Sequence, residues 1–325
     1  SNLIELNDIR NKNINIVISS VPKMRIGQFF NISNNDAYMY FTYVKVDGEV
    51  KRKLPYLLKN DKTLIRLDLL KRKDTQCMLL VDNKYELPIE INDAILDLNE
   101  CSLTQEWVEK FVNDELSDDD LDPSILIREI ERYIRMFYYA ESDCIYKVLA
   151  LYIYMTYFYE LFGQVPYLYL NGQKGSGKTV LDDVIKLFSF NAKMALDITE
   201  AALFRILSIE GGVLIMDERE DLTAKNSRTT ESGMAAVLKG GYVRSGYIYR
   251  ANIDKGTADR YTVYGPKVIS NINGMDDVIE DRCITITSYP LKLTRETKLE
   301  DPKYYAEEKM AEVKAVTSRC ALSAL

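Results

Sequence analysis

The chain contains no histidine. That absence excludes imidazole acid–base catalysis, a Ser-His-Asp triad and His-ligated zinc. Cysteine is scarce: Cys77, Cys101, Cys144, Cys283 and Cys320 are odd in number, far apart and without a CxxC pair. Free thiols in a reducing cytoplasm are the plain expectation. With 8 prolines and 15 glycines in 325 residues the chain is neither collagen-like nor of low complexity. Its first residues, SNLIELNDIR, hold neither a basic segment nor an apolar stretch, so no secretion signal is expected. Long hydrophobic runs are missing too. Only Cys144–Phe162 approaches the length of a membrane span, and Lys147, Glu160 and several tyrosines make it a buried helix rather than a span.

What is present is an ordinary globular mixture, 47% hydrophobic and 28% charged, in a chain long enough for about two domains. The net charge of -7 argues against a uniformly basic coat but leaves room for a local basic groove.

The first hundred residues read as β-rich. AYMYFTYVKV, Asp47-Gly48 and EVKRKLPYLL form a hairpin pattern, with the turn expected at Asp47-Gly48; QCMLLV-DNK-YELPIEI suggests a second. Residues 51–73 carry nine basic and two acidic side chains, which suits a solvated face or a nucleic-acid patch. A short helix is expected at Ser102–Val112 with Ser102 as its cap. The stretch NDELSDDDLD holds six acidic residues in ten and marks a boundary at 113–122, between a 1–112 domain and a helical segment. Asp122-Pro123 reads as an N-cap and first helical position, and helices are expected over 123–141 and 144–162, within a 123–164 helical segment.

From Val165 the pattern becomes α/β. PYLYLNG, AKMALDI, GGVLIMDE, KVISNI and CITITS read as strands, with helices at GKTVLDDVIKLF, at TEAALFRIL behind Thr199, and near 229–239. Strands alternating with helices imply a parallel sheet covered on both faces over 165–292.

The strongest local signal is Gly172-Gln173-Lys174-Gly175-Ser176-Gly177-Lys178-Thr179, a GxxxxGK[ST] motif between strand and helix. Glycines let successive N–H groups turn towards phosphate oxygens, and the helix N-terminus adds its dipole. Lys178 is expected at the β- and γ-phosphates of ATP, and Thr179 at Mg²⁺. Val213–Glu218 is an apolar strand ending in two carboxylates: Asp217 for the Mg²⁺ shell and Glu218 as general base towards the attacking water. A complete strand-and-helix unit fits between Lys178 and Asp217, as in ATPases with a catalytic glutamate. Asn271, at the end of KVISN, would orient water or γ-phosphate, or simply cap a turn. Arg282, in Glu280-Asp281-Arg282, would reach a neighbouring subunit's ATP as an arginine finger, or pair with its acidic neighbours. Residues 239–267 hold six basic side chains against two acidic ones, with Tyr247 and Tyr249 interleaved. That is either a solvated hairpin or a stripe for single-stranded nucleic acid, with Arg250, Lys255 and Arg260 as the DNA contacts.

GQKGSGKT, VLIMDE, KVISN and EDRCITI, in this order, resemble the AAA+ helicases of the superfamily 3 and MCM clade. The fuller pattern LKGGYVRSGYIYR…YGPKVISNI…DDVIEDRC is similar to helicases encoded on staphylococcal mobile genetic elements. The resemblance covers about 165–290. It implies an AAA+ ATPase core, a hairpin before KVISN that enters a ring's central pore, and a C-terminal helical lid beginning at 293–325, cut short where this chain ends. The function expected is an ATP-dependent DNA helicase motor, a homo-hexamer on single-stranded DNA with no membrane partner. An AAA+ remodeller or a nucleotide-gated binding module are the other readings; a monomeric P-loop kinase fits the Asp217-Glu218 pair poorly.

Overall fold

The computed structural model describes residues 3–4, 29–33, 36–47, 50–66, 77–81, 85–89, 102–195, 199–209, 211–217, 233–252, 257–271, 274–290 and 299–325. In the N-terminal part, β1 (Leu3–Ile4), β2 (Phe29–Ser33), β3 (Asp36–Asp47), β4 (Val50–Lys59) and β5 (Leu64–Arg66) form one sheet in the order β1-β5-β4-β3-β2. The β3–β4 ladder runs unbroken from Tyr38↔Lys59 to Asp47↔Val50. Asp47, expected in the turn, thus belongs to the ladder; Gly48 lies outside the described residues. A separate hairpin joins β6 (Cys77–Val81) to β7 (Tyr85–Ile89), closed by Val81↔Tyr85. Leu58 and Leu64 are buried and share a core with Val108 and Phe111 of a helical layer.

That layer opens with α1 (Gln105–Val112), whose N-cap is Thr104, not the expected Ser102. Ser102 is used elsewhere: its N–H donates to Asn191 Oδ1 at 3.0 Å, and its hydroxyl accepts from the Asn191 N–H at 2.8 Å. The acidic stretch contains a one-turn helix, α2 (Asp118–Leu121), where Asp120 accepts from the N–H and hydroxyl of Ser117. α3 (Pro123–Phe137) starts as expected, with Asp122 accepting from the N–H groups of Ser124 and Ile125 and proline at the first position. It stops at Phe137, short of the expected 141. α4 (Asp143–Met155) ends well before the expected 162. There Thr156 turns its hydroxyl back onto the Ile153 carbonyl at 2.6 Å and accepts from the Phe190 N–H at 2.9 Å, and a single 3-10 turn lies beyond it at Tyr159–Leu161. Among the described residues no helix is long and apolar enough to cross a membrane.

The rest alternates as expected: β8 (Tyr167–Gly172), α5 (Lys178–Phe188), β9 (Lys193–Ala195), α6 (Glu200–Ile209), β10 (Leu214–Met216), α7 (Gly233–Gly240), the hairpin β11 (Tyr247–Asn252) and β12 (Thr257–Thr262), β13 (Lys267–Asn271), α8 (Asp277–Glu280), β14 (Cys283–Ser288) and α9 (Pro302–Leu322). β8, β9, β10, β13 and β14 form a wholly parallel sheet in the order β14-β8-β13-β10-β9. Period-two alternation sorts its side chains into two cores. Leu168, Leu170, Ile215, Val268 and Ile286 meet Leu181, Val184 and Ile185 of α5 and the helical layer. Tyr167, Tyr169, Leu214, Met216 and Ile269 meet Leu203, Phe204 and Leu207 of α6, Val237 and Leu238 of α7 and Ile279 of α8. The protein is therefore an α/β fold with helices on both faces of a parallel sheet.

α9 closes the helical layer. Thr317 and Ser318 donate to the Ser102 carbonyl at 2.7 and 3.2 Å, and Arg319 pairs with Glu129 at 2.7 Å. The helix is kinked at Lys309.

Lys267 corrects one expectation. By sequence it belongs to the basic stripe, yet it is fully buried at the start of β13. Its ammonium donates to the carbonyls of Val263 at 2.9 Å, Gly265 at 3.0 Å and Gly241 at 3.5 Å, and sits 4.8 Å from the centre of the Tyr167 ring. It pins the root of the hairpin to the sheet. Lys267→Met should lower unfolding free energy by about 3 kcal/mol, because it strands buried carbonyls. Urea denaturation checks this; native stability in the variant would contradict the carbonyl cage.

Candidate nucleotide site

The loop Gly172–Thr179 leaves the carboxyl end of β8 and runs straight into α5. Two of its glycines occupy the left-handed region that side chains resist: Gly175 at φ 79° and Gly177, the N-cap of α5, at φ 86°. These turns let the first N–H groups of α5, which have no intrahelical acceptor, face the space beyond the strand end. Gly172 is constrained by room instead. A Cβ there would stand 2.5 Å from the Ser288 carbonyl oxygen and 2.5 Å from Ser176 Oγ. Ser176 Oγ is itself buried with no hydrogen-bond partner among the described residues.

Beyond the loop lies a cavity of about 540 Å³ lined by Lys174–Val180 together with Asp217, Ser270 and Asn271. The sheet order explains the meeting. β13 lies between β8 and β10, with Asn271 in register with Asn171 and Ile269 with Met216, so Asn271 and Asp217 both end beside the loop. Asn271 donates its amide to the Gly274 carbonyl at 2.8 Å, which fixes its orientation. Lys178 bends back, donating to the carbonyls of Gly172 at 2.5 Å and Gln173 at 3.0 Å. Gln173 and Gly172 thus contribute through backbone, while Lys174 and Gly175 form the exposed outer lip. The oxygen donors on the cavity wall, the Thr179 hydroxyl and the Asp217 carboxylate, suit a hard cation such as Mg²⁺, which takes one or two protein oxygens and completes its shell with phosphate and water. Among the described residues no three Asp, Glu or Cys side chains cluster as an all-protein metal cage.

Three contributors are not apparent from the sequence pattern. Tyr138, just past α3, donates or accepts through its hydroxyl at 2.7 Å from Ser288 Oγ, and its ring would lie 3.5 Å from a Cβ at Gly177. Burial pushes its phenol up from the usual range. The Tyr138–Ser288 pair therefore braces the loop from below, joining α3 to the end of β14. Asp182 and Ser270 are bonded to each other behind the cavity, at 2.8 and 2.7 Å. The only sequence signal for them is an aspartate on the apolar side of the α5 pattern, flanked by Leu181, Val184 and Ile185.

Arg282 lies at the opposite, amino end of the strands. Cys283 pairs with Tyr167 at the amino end of β8, whereas Ser288 pairs with Gly172. At roughly 3.3 Å per residue Arg282 is about 20 Å from its own loop, beyond the reach of its side chain. Its guanidinium lies 4.5 Å from the Tyr242 ring centre. Cys283 beside it is pushed up to about 12, mainly by burial, and is no nucleophile. Cys144, Cys283 and Cys320 are all free.

The β11–β12 hairpin has two unlike faces. Ile248, Arg250 and Tyr261 turn to α6, with Tyr261 against Phe204 at 4.7 Å and Arg250 over the same ring at 5.1 Å. Tyr247, Tyr249 and Arg260 share the other face, Arg260 stacked 4.3 Å from Tyr247 and Tyr249 61% exposed. Glu218 and Lys255 lie outside the described residues.

Removing the ammonium in Lys178→Ala should weaken binding of a fluorescent ATP analogue at least about tenfold, since a cation–phosphate contact is charge-assisted. Native affinity would remove the lysine from the phosphate contacts.

No family model and no curated protein matches the chain. Among solved structures it is similar to the apo A form of the NrS-1 C-terminal region, 11% identical with a TM-score of 0.42 over 87% of this chain and 66% of that one. It is also similar to JCV helicase, 14% identical with a TM-score of 0.34 over 67% of this chain and 65% of that one. The chain thus spans slightly less than two thirds of the length of each structure.

Proposed function

We propose that the protein is an ATP-driven DNA helicase motor that works as a ring of copies. The observation that carries this reading is the convergence of the glycine loop, Asp217 and Asn271 on one cavity at the carboxyl ends of adjacent strands. Loop N–H groups and Lys178 hold the ATP phosphates. Thr179 and Asp217 hold Mg²⁺, which when bound neutralises phosphate charge. Glu218, next to Asp217, takes a proton from the attacking water, and Asn271 orients that water or the γ-phosphate. Glu218→Gln should therefore keep ATP binding and lose turnover by about a hundredfold. Undiminished turnover would take Glu218 out of the mechanism.

Arg282 is too far from its own loop to serve it, so it serves the site of the next copy, and a ring, of six by the motif resemblance, gives every site a neighbour. Arg282→Ala should leave ATP affinity near native and abolish hydrolysis. Mixed with Lys178→Ala protein, it should regain partial activity, because some interfaces then pair an intact lysine with an intact arginine. No recovery in verified mixed assemblies would contradict action across an interface.

DNA is assigned to the outer face of the hairpin and to Lys255 between its strands. Exposed tyrosines with an interleaved arginine suit unpaired bases and phosphates. Arg250, turned to Phe204, contributes to that surface mainly by supporting it. The motif similarity to mobile-element helicases suggests replication of such an element as the setting. Tyr249→Ala should reduce single-stranded DNA affinity about tenfold, at about 1–3 kcal/mol per stacked base, with basal ATPase preserved. Loss of ATP-dependent unwinding of a forked duplex should accompany it; native binding and unwinding would move the DNA contact elsewhere.

A further inference from the structure

Asp182 is the one fully buried carboxylate on the described part of the P-loop helix, with no surface exposed at all. It stands one turn after Thr179 and four residues after Lys178, on the stretch of α5 that packs on the sheet. Leu181, Val184 and Ile185 of the same helix belong to the apolar core that also holds Val268 of β13. A leucine would fill such a place without the desolvation that a carboxyl suffers. The carboxyl has a single described side-chain partner, the Ser270 hydroxyl, which reaches both its oxygens at 2.8 and 2.7 Å. Ser270 immediately precedes Asn271, is itself fully buried, and borders the cavity.

The bond therefore crosses between the two elements that must agree on the position of a nucleotide. One is the helix carrying Lys178 and Thr179. The other is the strand whose end carries Asn271. Hydrogen bonds are directional where apolar packing is not, so this contact fixes the helix along the strand as well as against it.

The charges around Asp182 are Lys178 and Asp183 on its own helix and Asp217 at the end of β10. Burial, first, and then the two neighbouring carboxylates push the acid up to about 8, against the lowering effect of Ser270 and Lys178. The serine hydroxyl is the donor to both of the Asp182 oxygens.

We propose that Asp182 is a positioning residue that, through Ser270, sets the spacing between the phosphate-binding helix and Asn271. It touches no substrate. Its effect on turnover rests on the nucleotide-hydrolysis reading above, whereas the tie between α5 and β13 does not.

The test uses the whole chain with Asp182→Ala, Asp182→Asn and Ser270→Ala. ATP turnover and affinity for a fluorescent ATP analogue are measured together, and amide hydrogen exchange is followed over Val268–Asn271. Misplacing Asn271 should lower kcat by about tenfold or more in Asp182→Ala and Ser270→Ala, with nucleotide affinity within about threefold of native. Asparagine keeps the shape and an acceptor for the Ser270 hydroxyl, so Asp182→Asn should retain kcat within about threefold. Combining Asp182→Ala with Ser270→Ala should add little to either alone. Exchange at the end of β13 should quicken in both alanine variants and not in Asp182→Asn.

Native kcat in folded Asp182→Ala and Ser270→Ala protein overturns the proposal. So does affinity falling in step with kcat, which marks general damage to the loop. Failure of Asp182→Asn to preserve kcat in folded protein also overturns it, because the shape of the side chain and an acceptor for the Ser270 hydroxyl are both kept there. A native protein that binds no ATP or turns none over refutes the hydrolysis reading alone. In that event the exchange result decides the tie, and unchanged exchange in the alanine variants refutes it.

Discussion

The placement of β13 between β8 and β10 is the constraint on which the site depends. A sheet strand has two hydrogen-bonding edges, and β13 uses one on each neighbour, Val268–Asn271 against Leu168–Asn171 and Lys267–Ile269 against Leu214–Met216. Register then leaves no freedom. Asn271 must end level with the strand that launches the phosphate loop, and Asp217 must emerge one residue past the pairing on the other side. A slip of one residue would turn Ser270 and Asn271 to the wrong faces and expose apolar side chains that now fill two separate cores.

Buried polar groups at this sheet are arranged around the same strand. At its start, Lys267 gathers the carbonyls of the hairpin root. Its own carbonyl accepts from the Tyr152 hydroxyl of α4 at 3.0 Å. Near its end Ser270 meets Asp182. Tyrosine does comparable work across the molecule: Tyr157 donates to the Phe188 carbonyl, Tyr167 to Leu238, and Tyr264 to both Tyr159 and Phe162. Each places an aromatic ring in a core while its hydroxyl donates to a backbone carbonyl elsewhere in the fold. In a protein with 23 tyrosines and no histidine, these hydroxyls carry much of the directional bonding between layers.

The strands of the parallel sheet, the loop between β8 and α5, and the carboxylate after β10 are all legible in the sequence because each depends on local pattern. An apolar run, a glycine spacing and a capping pair such as Asp122-Pro123 need only their near neighbours. The features that local pattern misplaces depend on distant partners. Ser102 has the composition of a cap but is claimed by Asn191, Thr317 and Ser318. The helix expected to reach Phe162 stops at Met155 because Thr156 finds Phe190. Lys267 counts as one more positive charge until the carbonyls around it are known. Arg282 illustrates the opposite case: its distance from its own loop is a property of register alone.

The proposed motor function requires that the loop hold nucleotide phosphates in the cavity it shares with Asp217 and Asn271. A crystal structure grown with Mg²⁺ and a non-hydrolysable ATP analogue would show this outright. Phosphate oxygens are expected on the N–H groups of Gly175–Thr179, with the Lys178 ammonium drawn off the carbonyls of Gly172 and Gln173 onto the β- and γ-phosphates. An empty loop at saturating analogue, with Lys178 still bonded to those two carbonyls, would contradict it.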